Sequence, residues 1–407
     1  MVVFSCLQAA GTALANGRAQ GTRAVDRSAS IAGTAPHLLQ GFEPLKHRLL
    51  GHKRIADLAR GRRAVLSLDS GLQQHVAKLY ERFSVPYGAL VALEPGTGRV
   101  LAYVSHSNEQ GDTADRVRDA SAPSASIFKL ITAAALVENG VSVTRRTCYH
   151  GGLRGLSAEH LADNRARDRK CADLGEALGK SINSVFAKLA DRHLGRSTLA
   201  RYASAFGYGH ALPFDVPTRV SRLSLPTDRL ELARTAAGFW HSHLSPLHAA
   251  LIAATIANQG VMPRAYLVER IVDRRGRELF SHAPRPFRSV IGGLAAKQLA
   301  RMMQRTVVDG TARGAFFDPQ GRAFLPGIEV AGKTGSLTSS APYRAYTWWV
   351  GFAPIAAPSV AVAALVINEP RWRVKASYMA REALRYYLVH KPRAAAHASV
   401  SAPLDRL

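Results

Sequence analysis

Ser126 and Lys129 stand three residues apart in a stretch that strongly favours helix. Residues 123–140 read Pro-Ser-Ala-Ser-Ile-Phe-Lys-Leu-Ile-Thr-Ala-Ala-Ala-Leu-Val-Glu-Asn-Gly, in which Ser124 can cap a helix and Gly140 suits its end. At this spacing the two side chains lie on one face of the helix. A serine near a helix N-terminus, with an amine beside it, has the components of an activated alcohol nucleophile.

Two further motifs downstream give this pair a chemical context. The first is Ser181-Ile-Asn183, and the second is Lys333-Thr334-Gly335-Ser336. Taken alone, the Ser-x-x-Lys pair is more typical of a capped helix with a solvated lysine. Ser-x-x-Lys, Ser-x-Asn and Lys-Thr-Gly in this order are, however, the signature of penicillin-interacting serine enzymes.

The chain therefore resembles the transpeptidase domain of penicillin-binding proteins, over roughly residues 63–390. Six ordered landmarks extend the resemblance beyond the three motifs. They are Leu68-Asp69-Ser-Gly-Leu-Gln73, the apolar hairpin at 88–103, Leu244-Ser-Pro-Leu-His248, Ile256-Ala-Asn-Gln-Gly260, Gly310-Thr-Ala312 and Trp349-Val-Gly-Phe-Ala-Pro354.

The resemblance implies a role for each residue of the first two motifs. The Oγ atom of Ser126 would be the nucleophile, and Lys129 would be its base. That role requires burial and the neighbouring cation Lys333 to lower the pKa of Lys129. Ser181 would relay a proton to the departing amine, while Asn183 would hold Lys129 and hydrogen-bond the substrate backbone.

The third motif is implied to bind the substrate. Lys333 would supply positive potential for a substrate carboxylate, and Thr334 and Ser336 would offer hydroxyls to it. Gly335 would leave room for the acyl group against the strand. The backbone N–H groups of Ser126 and Ser336 are the expected oxyanion donors, and the strand edge could pair with an extended peptide.

Structural alternatives exist for several of these residues. Ser181 could be only a helix N-cap with Asn183 as its capping partner. The aromatic pair Trp348 and Trp349, next to an apolar strand, is more typical of packing than of a cleft wall. Asp69 is expected to cap a helix and not to act as a catalytic acid.

Periodicity places these motifs on strands at both ends of a domain with helices between them. Strands are predicted at 88–93, 99–105, 266–273, 328–336, 346–353 and 360–367, and helices at 71–83, 174–192, 197–206, 228–239, 246–260 and 376–389. The pattern predicts an α/β (α+β) fold in which one antiparallel sheet is assembled from distant segments. The resemblance implies the β-lactamase/transpeptidase-like form, with a five-stranded sheet flanked by helices and an inserted helical subdomain at 124–260.

The ends of the chain differ in composition from this domain. Residues 1–62 are interpreted as a flexible N-terminal arm, 63–390 as the penicillin-binding transpeptidase domain and 391–407 as a disordered tail. The first residues resemble a signal peptide only faintly, and Cys6 follows a poor lipobox. No apolar run approaches the ~18 residues of a spanning helix. A location in the periplasm or on the outer face of the cytoplasmic membrane is therefore implied by the resemblance alone.

The chain is strongly basic, with 54 Lys and Arg against 29 Asp and Glu and a net charge of +25. Nucleic acid, anionic lipid and anionic wall polymers would all attract such a surface. The basic residues are scattered and form no nucleic-acid-binding module, so we expect no nucleic-acid partner.

Cys148 and Cys171 frame an Arg- and Asp-rich loop before the Ser-x-Asn motif. In an exported enzyme they suggest a disulfide, with reduced cysteines as one alternative and a zinc site that includes His150 as another. The spacing fits no usual zinc pattern. No metal and no cofactor are therefore predicted.

The implied activity is a peptidoglycan D,D-transpeptidase that acts on D-Ala-D-Ala stem peptides and is acylated by β-lactams. A D,D-carboxypeptidase, with water as acceptor, and a non-catalytic β-lactam sensor are alternatives. A β-lactamase is a further alternative, but the nearest match to a class A Glu-x-x-Leu-Asn, 159–164, precedes the Ser-x-Asn motif. Expected partners are stem peptides, β-lactams and membrane-anchored cell-wall synthesis proteins.

Overall fold

The computed structural model describes residues 36–152 and 155–391. Its strands are β1 (Arg48–Leu50), β2 (Lys53–Asp57), β3 (Arg63–Leu66), β4 (Tyr87–Leu93), β5 (Val100–Ser107), β6 (Thr147–Tyr149), β7 (Lys170–Ala172), β8 (Val261–Pro263), β9 (Val268–Val272), β10 (Glu278–Ser281), β11 (Pro286–Ser289), β12 (Ala331–Ser340), β13 (Tyr343–Ala353) and β14 (Val360–Asn368). Its helices are α1 (Ser70–Arg82), α2 (Lys129–Glu138), α3 (Leu174–Gly179), α4 (Asn183–His193), α5 (Arg196–Phe206), α6 (Arg229–Ala236), α7 (Pro246–Ala257), α8 (Gly293–Val308), α9 (Arg313–Phe316) and α10 (Ala376–Arg385).

The central sheet has five antiparallel strands in the order β12-β13-β14-β4-β5. Alternate residues of a strand point to opposite faces, and in β14 both sets are apolar. Ala361, Ala363 and Leu365 join the core that contains α7, whereas Val362, Ala364 and Val366 join the core that contains α1 and α10. The sheet is therefore covered by helices on both faces, which confirms the predicted mixed fold with a five-stranded antiparallel sheet.

A second five-stranded sheet, in the order β1-β2-β3-β9-β10, was not predicted. It takes up β9, a segment that the sequence pattern assigned to the single sheet, and pairs it with β3. It also takes up 48–57, because Ile55 and Ala56 are buried and pair with β3. The predicted flexible arm over 1–62 is therefore wrong for these strands, while residues 1–35 lie outside the described residues. The predicted tail beyond Lys391 also lies outside the described residues.

The helical subdomain between β5 and β9 also departs from the prediction at one point. A single helix was expected over 174–192, but the chain forms α3 and α4 with a break between them. Ser181 lies in this break with φ at 55°, a left-handed conformation that a helix cannot contain. The break matters because it carries the Ser-x-Asn motif. Within residues 36–152 and 155–391, no helix has the length and apolar character needed to cross a membrane.

Candidate active site

Ser126 lies in a tight 3₁₀ turn, Ala125–Phe128, that leads directly into α2. Ser124 holds the N-cap position, as predicted, but its side chain makes no capping hydrogen bond. Its hydroxyl is instead hydrogen-bonded to the buried hydroxyl of Tyr208, 2.9 Å away. Gly238 packs against the turn from the other side. A Cβ atom on Gly238 would lie 2.4 Å from the carbonyl oxygen of Ala125 and 2.9 Å from Cα of Ser126. This turn, which we call the nucleophile turn after the expected role of Ser126, is thus held in place by a backbone contact that only glycine permits.

Lys129 is the first residue of α2 and is fully buried. Its Nζ atom lies 2.9 Å from Oγ of Ser126, 2.6 Å from Oδ1 of Asn183 and 2.5 Å from the carbonyl oxygen of Ala237. Burial, and secondarily the positive charge of Lys333, hold the pKa of Lys129 well below its ordinary value of 10.5.

These contacts determine the direction of the lone pair on a neutral Lys129. A neutral amine has two N–H groups and one lone pair. The amide oxygen of Asn183 and the carbonyl of Ala237 can only accept, so they take the two N–H groups. The lone pair is then directed at the hydroxyl of Ser126, which can donate to it. This is the geometry that a general base requires.

Lys333 and Ser181 form a second pair within the same site. Lys333 is fully buried on β12, and its Nζ donates to Oγ of Ser181 at 3.0 Å and to the carbonyl of Thr334 at 2.6 Å. Burial lowers the pKa of Lys333 to about 7. Ser181 is not the N-cap of α4, a position held by Ile182, so its hydroxyl is available to this lysine.

β12 is an edge strand of the central sheet, and its Gly335 lies against the nucleophile turn. A Cβ atom on Gly335 would be 3.2 Å from Ile127 and 3.3 Å from Ala125. The missing side chain therefore serves the close packing of strand and turn, a reason that the sequence did not suggest. The expected roles of Gly335 toward an acyl group, and of the Ser126 and Ser336 N–H groups as oxyanion donors, stay predictions.

A cleft of about 430 Å³ opens over these residues. Five of the predicted site residues lie on its wall, while Lys129 and Lys333 lie buried beneath them. The wall consists of Ser126, Lys180, Ser181, Asn183, Thr311, Thr334, Ser336, Thr347, Trp348, Lys375, Ala376 and Ser377.

Sequence reasoning missed some of these contributors. The hydroxyl of Thr311 lies 2.5 Å from that of Thr334, and the landmark Gly310-Thr-Ala312 was the signal that could have identified it. The carbonyl of Ala237 carries no signal, because any residue supplies a carbonyl. Lys375 on the cleft wall forms no ion pair with any residue that the structure describes.

Several structural expectations are confirmed. Trp349 is buried in packing, as expected, whereas Trp348 is buried and also lines the cleft, so the expectation that neither forms a cleft wall is wrong for Trp348. Trp348 Nε1 donates to the carbonyl of Pro123 at 2.9 Å, which ties β13 to the segment before the nucleophile. Asp69 caps α1 by accepting a hydrogen bond from the backbone N–H of Leu72.

A disulfide joins Cys148 to Cys171 across the β6–β7 hairpin, so neither sulfur is a thiolate that could bind zinc beside His150. Among the described residues, His150, Glu159 and His160 each place one potential ligand atom within 4.8 Å of the others. The backbone N–H of Ser157 donates to Nδ1 of His160, however. A neutral His160 therefore carries its proton on Nε2, which leaves that nitrogen without a lone pair for a metal.

Comparison with known proteins agrees with this geometry. Residues 88–385 match the family model of the penicillin binding protein transpeptidase domain. Peptidoglycan D,D-transpeptidase PbpA of Mycobacterium tuberculosis is 32% identical over 314 residues, which are 69% of this chain and 62% of that protein. The chain thus spans less than two thirds of the length of this relative.

Two solved structures have the same fold. The imipenem acyl-enzyme complex of penicillin-binding protein A from M. tuberculosis superposes with a TM-score of 0.68 at 28% identity, covering 81% of this chain and 80% of that one. The D,D-transpeptidase domain of a peptidoglycan glycosyltransferase from Eggerthella lenta gives a TM-score of 0.67 at 25% identity, covering 81% and 83%.

Proposed function

The chain belongs to the penicillin-binding protein transpeptidase family, and we propose that it is a peptidoglycan D,D-transpeptidase working through a serine acyl-enzyme. The observation that carries the proposal is the position of Lys129. The amine of Lys129 is buried and its pKa is lowered, two acceptors take its N–H groups, and its lone pair is directed at Ser126. This arrangement can activate an alcohol.

In the first half-reaction, Oγ of Ser126 attacks the carbonyl carbon of the D-alanyl-D-alanine peptide bond, and the serine proton moves to Nζ of Lys129. The backbone N–H groups of Ser126 and Ser336 stabilise the negative charge on the tetrahedral oxygen. The C–N bond then breaks, and the proton passes through the Ser181 hydroxyl to the leaving amine. The acyl group remains on Ser126 as an ester.

In the second half-reaction, the amine of a neighbouring stem peptide attacks this ester. Its proton passes to Lys129 and from there to Oγ of Ser126, which leaves as the alcohol. Lys333, Thr334 and Ser336 hold the carboxylate of the donor peptide during the first half-reaction. The free edge of β12 would pair with the donor backbone.

The cleft also argues against a β-lactamase that activates water with a carboxylate. None of the described residues on its wall is Asp or Glu, so no wall carboxylate is present there to activate a water molecule. Glu159, which came closest to a class A β-lactamase base in sequence, forms an ion pair with Arg167 and does not line the cleft. An acyl group on Ser126 is therefore expected to be long-lived in water.

The proposal includes where the protein acts and on what. We place it on the outer side of the cytoplasmic membrane, where peptidoglycan stem peptides are its substrates and β-lactams its inhibitors. Membrane-anchored cell-wall synthesis proteins are the proposed partners. This rests on family membership and on the activity in the name of PbpA.

Intact-mass spectrometry after incubation with benzylpenicillin tests the acyl-enzyme. We expect one adduct per chain, absent in Ser126→Ala and retained in Ser121→Ala, an exposed serine five residues away. A depsipeptide ending in D-alanyl-D-lactate, offered with D-alanine as an amine acceptor, then tests the second half-reaction. We expect aminolysis to exceed hydrolysis. Hydrolysis alone would indicate a carboxypeptidase, and fast turnover of a chromogenic cephalosporin would indicate a β-lactamase.

A further inference from the structure

A second cavity, of about 690 Å³, lies outside the cleft and is larger than it. Its walls are the turn after α2, the start of the β6 hairpin, the Arg- and Asp-rich loop before β7, and the last turn of α4. Lys129 begins α2 and Asn183 begins α4. The cavity therefore lies at the opposite ends of the two helices that carry these site residues, about 16 Å away along the 11-residue α4. We call it the arginine cavity.

Four arginines line the arginine cavity: Arg145, Arg146, Arg165 and Arg192. Only Arg192 has a close carboxylate partner, at 2.6 Å. Arg146 is 3.9 Å from a carboxylate oxygen of Glu176, and its guanidinium also donates to the carbonyl of Cys171. Arg145 and Arg165 form no ion pair within residues 36–152 and 155–391. The cavity thus presents guanidinium groups that the described part of the protein leaves uncompensated.

The two carboxylates in the cavity wall, Asp163 and Asp168, are already engaged. Asp168 accepts from Nζ of the buried Lys188 at 2.7 Å and lies 2.5 Å from Nδ1 of His150. Asp163 accepts from Arg192 and lies 3.4 Å from Lys188. Neither carboxylate is free to neutralise the other arginines. These contacts tie residues 163–168, which include Arg165, to α4.

We propose that the arginine cavity binds a small polyanion of about disaccharide size that carries at least two carboxylate or phosphate groups. Planar guanidinium groups bind both kinds of group through paired N–H donors. A volume of about 690 Å³ falls within the range of roughly 300 to 1,000 Å³ found for small-molecule sites. Arg145 and Arg165 are the residues that hold the ligand, with Arg146 as a third contact. The proposal does not depend on the acyl-transfer reaction.

The competing explanation is general attraction, since the whole chain has a net charge of +25. The experiment therefore compares two double variants that remove the same charge. Arg145→Ala with Arg165→Ala removes it from the cavity. Arg201→Ala with Arg275→Ala removes it from exposed arginines that do not line the cavity and form no ion pair with a described residue.

Isothermal titration calorimetry at 0.15 M NaCl measures binding of three probes: pyrophosphate, digalacturonate and the neutral disaccharide cellobiose. We expect one site per chain for at least one anionic probe and none for cellobiose. The comparison of pyrophosphate with digalacturonate decides between phosphate and carboxylate as the natural group. The cavity double variant should weaken binding at least tenfold, and the surface double variant by less than twofold.

Two results would overturn the proposal. One is an equal loss of affinity in the two double variants, which would indicate general attraction. The other is the absence of saturable binding of either anionic probe to the unmodified protein. The four substituted arginines, Arg145, Arg165, Arg201 and Arg275, are all exposed. We therefore expect the melting temperatures of both variants to match that of the parent protein. Benzylpenicillin acylation of Ser126, measured on the same samples, reports separately on the proposed function.

Discussion

Replacing Gly238 by alanine should leave the protein folded but displace the turn that carries Ser126. The new Cβ would lie 2.4 Å from the carbonyl oxygen of Ala125, whereas ordinary van der Waals contact begins at 3.4 Å. The nucleophile turn and the Gly238 backbone must therefore move apart by 1.0 Å (3.4 − 2.4). Both contacting groups are backbone, so neither can rotate away. Ala237, which accepts a hydrogen bond from Lys129, precedes Gly238 and would move with it.

Two costs are expected, and they have different sizes. An alanine at φ of 83° costs about 1–2 kcal/mol of stability, because left-handed backbone is unfavourable for L-residues. A displacement of about 1 Å between reacting groups can lower a rate by roughly 100-fold. We therefore expect the second-order rate of benzylpenicillin acylation to fall about 100-fold, which is far more than the stability loss would cause in a protein that stays folded.

Gly276→Ala is the matched control. Gly276 has the same φ of 83°, but a Cβ there would meet nothing within 4 Å. It should lose a similar 1–2 kcal/mol for the backbone strain and acylate at the parental rate. Stopped-flow acylation and thermal melting of the two variants make the comparison. A folded Gly238→Ala protein that reacts within twofold of the parent would refute the reasoning, as would equal rate losses in the two variants.

Acylation should slow as pH falls through the pKa of Lys129, because protonation removes the lone pair that accepts the serine proton. Since burial and then Lys333 lower this pKa, the midpoint of the rate profile should lie well below 10.5. Lys333→Gln removes the like charge and should shift the midpoint to higher pH, and an unmoved midpoint would contradict a Coulombic role. Replacing Cys148 and Cys171 by serine opens a loop with a sequence separation of 23. The double variant should lose about 3.5 kcal/mol in urea unfolding, and equal urea midpoints for variant and oxidised parent would show that the loop closure does not stabilise the fold.

The motif residues could be predicted from sequence because each is a particular side chain at a fixed spacing. Ser126 and Lys129 meet through helical geometry alone. The hydrogen bond of Lys333 to Ser181, by contrast, joins residues 152 positions apart. The resemblance to a known family implied that both belong to one site, but it did not predict this contact. The resemblance also implied the family and the five-stranded antiparallel sheet, and both are confirmed.

What the sequence did not predict depends on tertiary contacts or on backbone atoms. Helix formers such as Leu178 and Ala187 lie on both sides of the break, which favoured a continuous helix over 174–192, although Gly179, two residues before Ser181, is a poor helix former. Residues 48–57 include the basic residues Arg48, Lys53 and Arg54 and show no clear alternation of apolar and polar residues. Their strands form through pairing of β1 with β2 and of β2 with β3. Helix α8 is a different case, because Leu299, Met302, Met303 and Thr306 recur at helical spacing and are buried. That signal was present and was overlooked.

The order of strands in the central sheet has a consequence for how the chain folds while it is being synthesised. β4 pairs with β14, so that Leu90 is opposite Ala364, and β12 to β14 are the last strands to be made. A ribosome that adds roughly 5–20 residues per second needs about 15–55 s to extend the chain from β4 to the end of β14. During this time one edge of β4 has no partner, and β12 is not yet there to bring Lys333 beside Ser181. The nascent chain therefore carries Ser126, its proposed nucleophile, long before the site is complete, and reactivity toward β-lactams should arise only with the final strands.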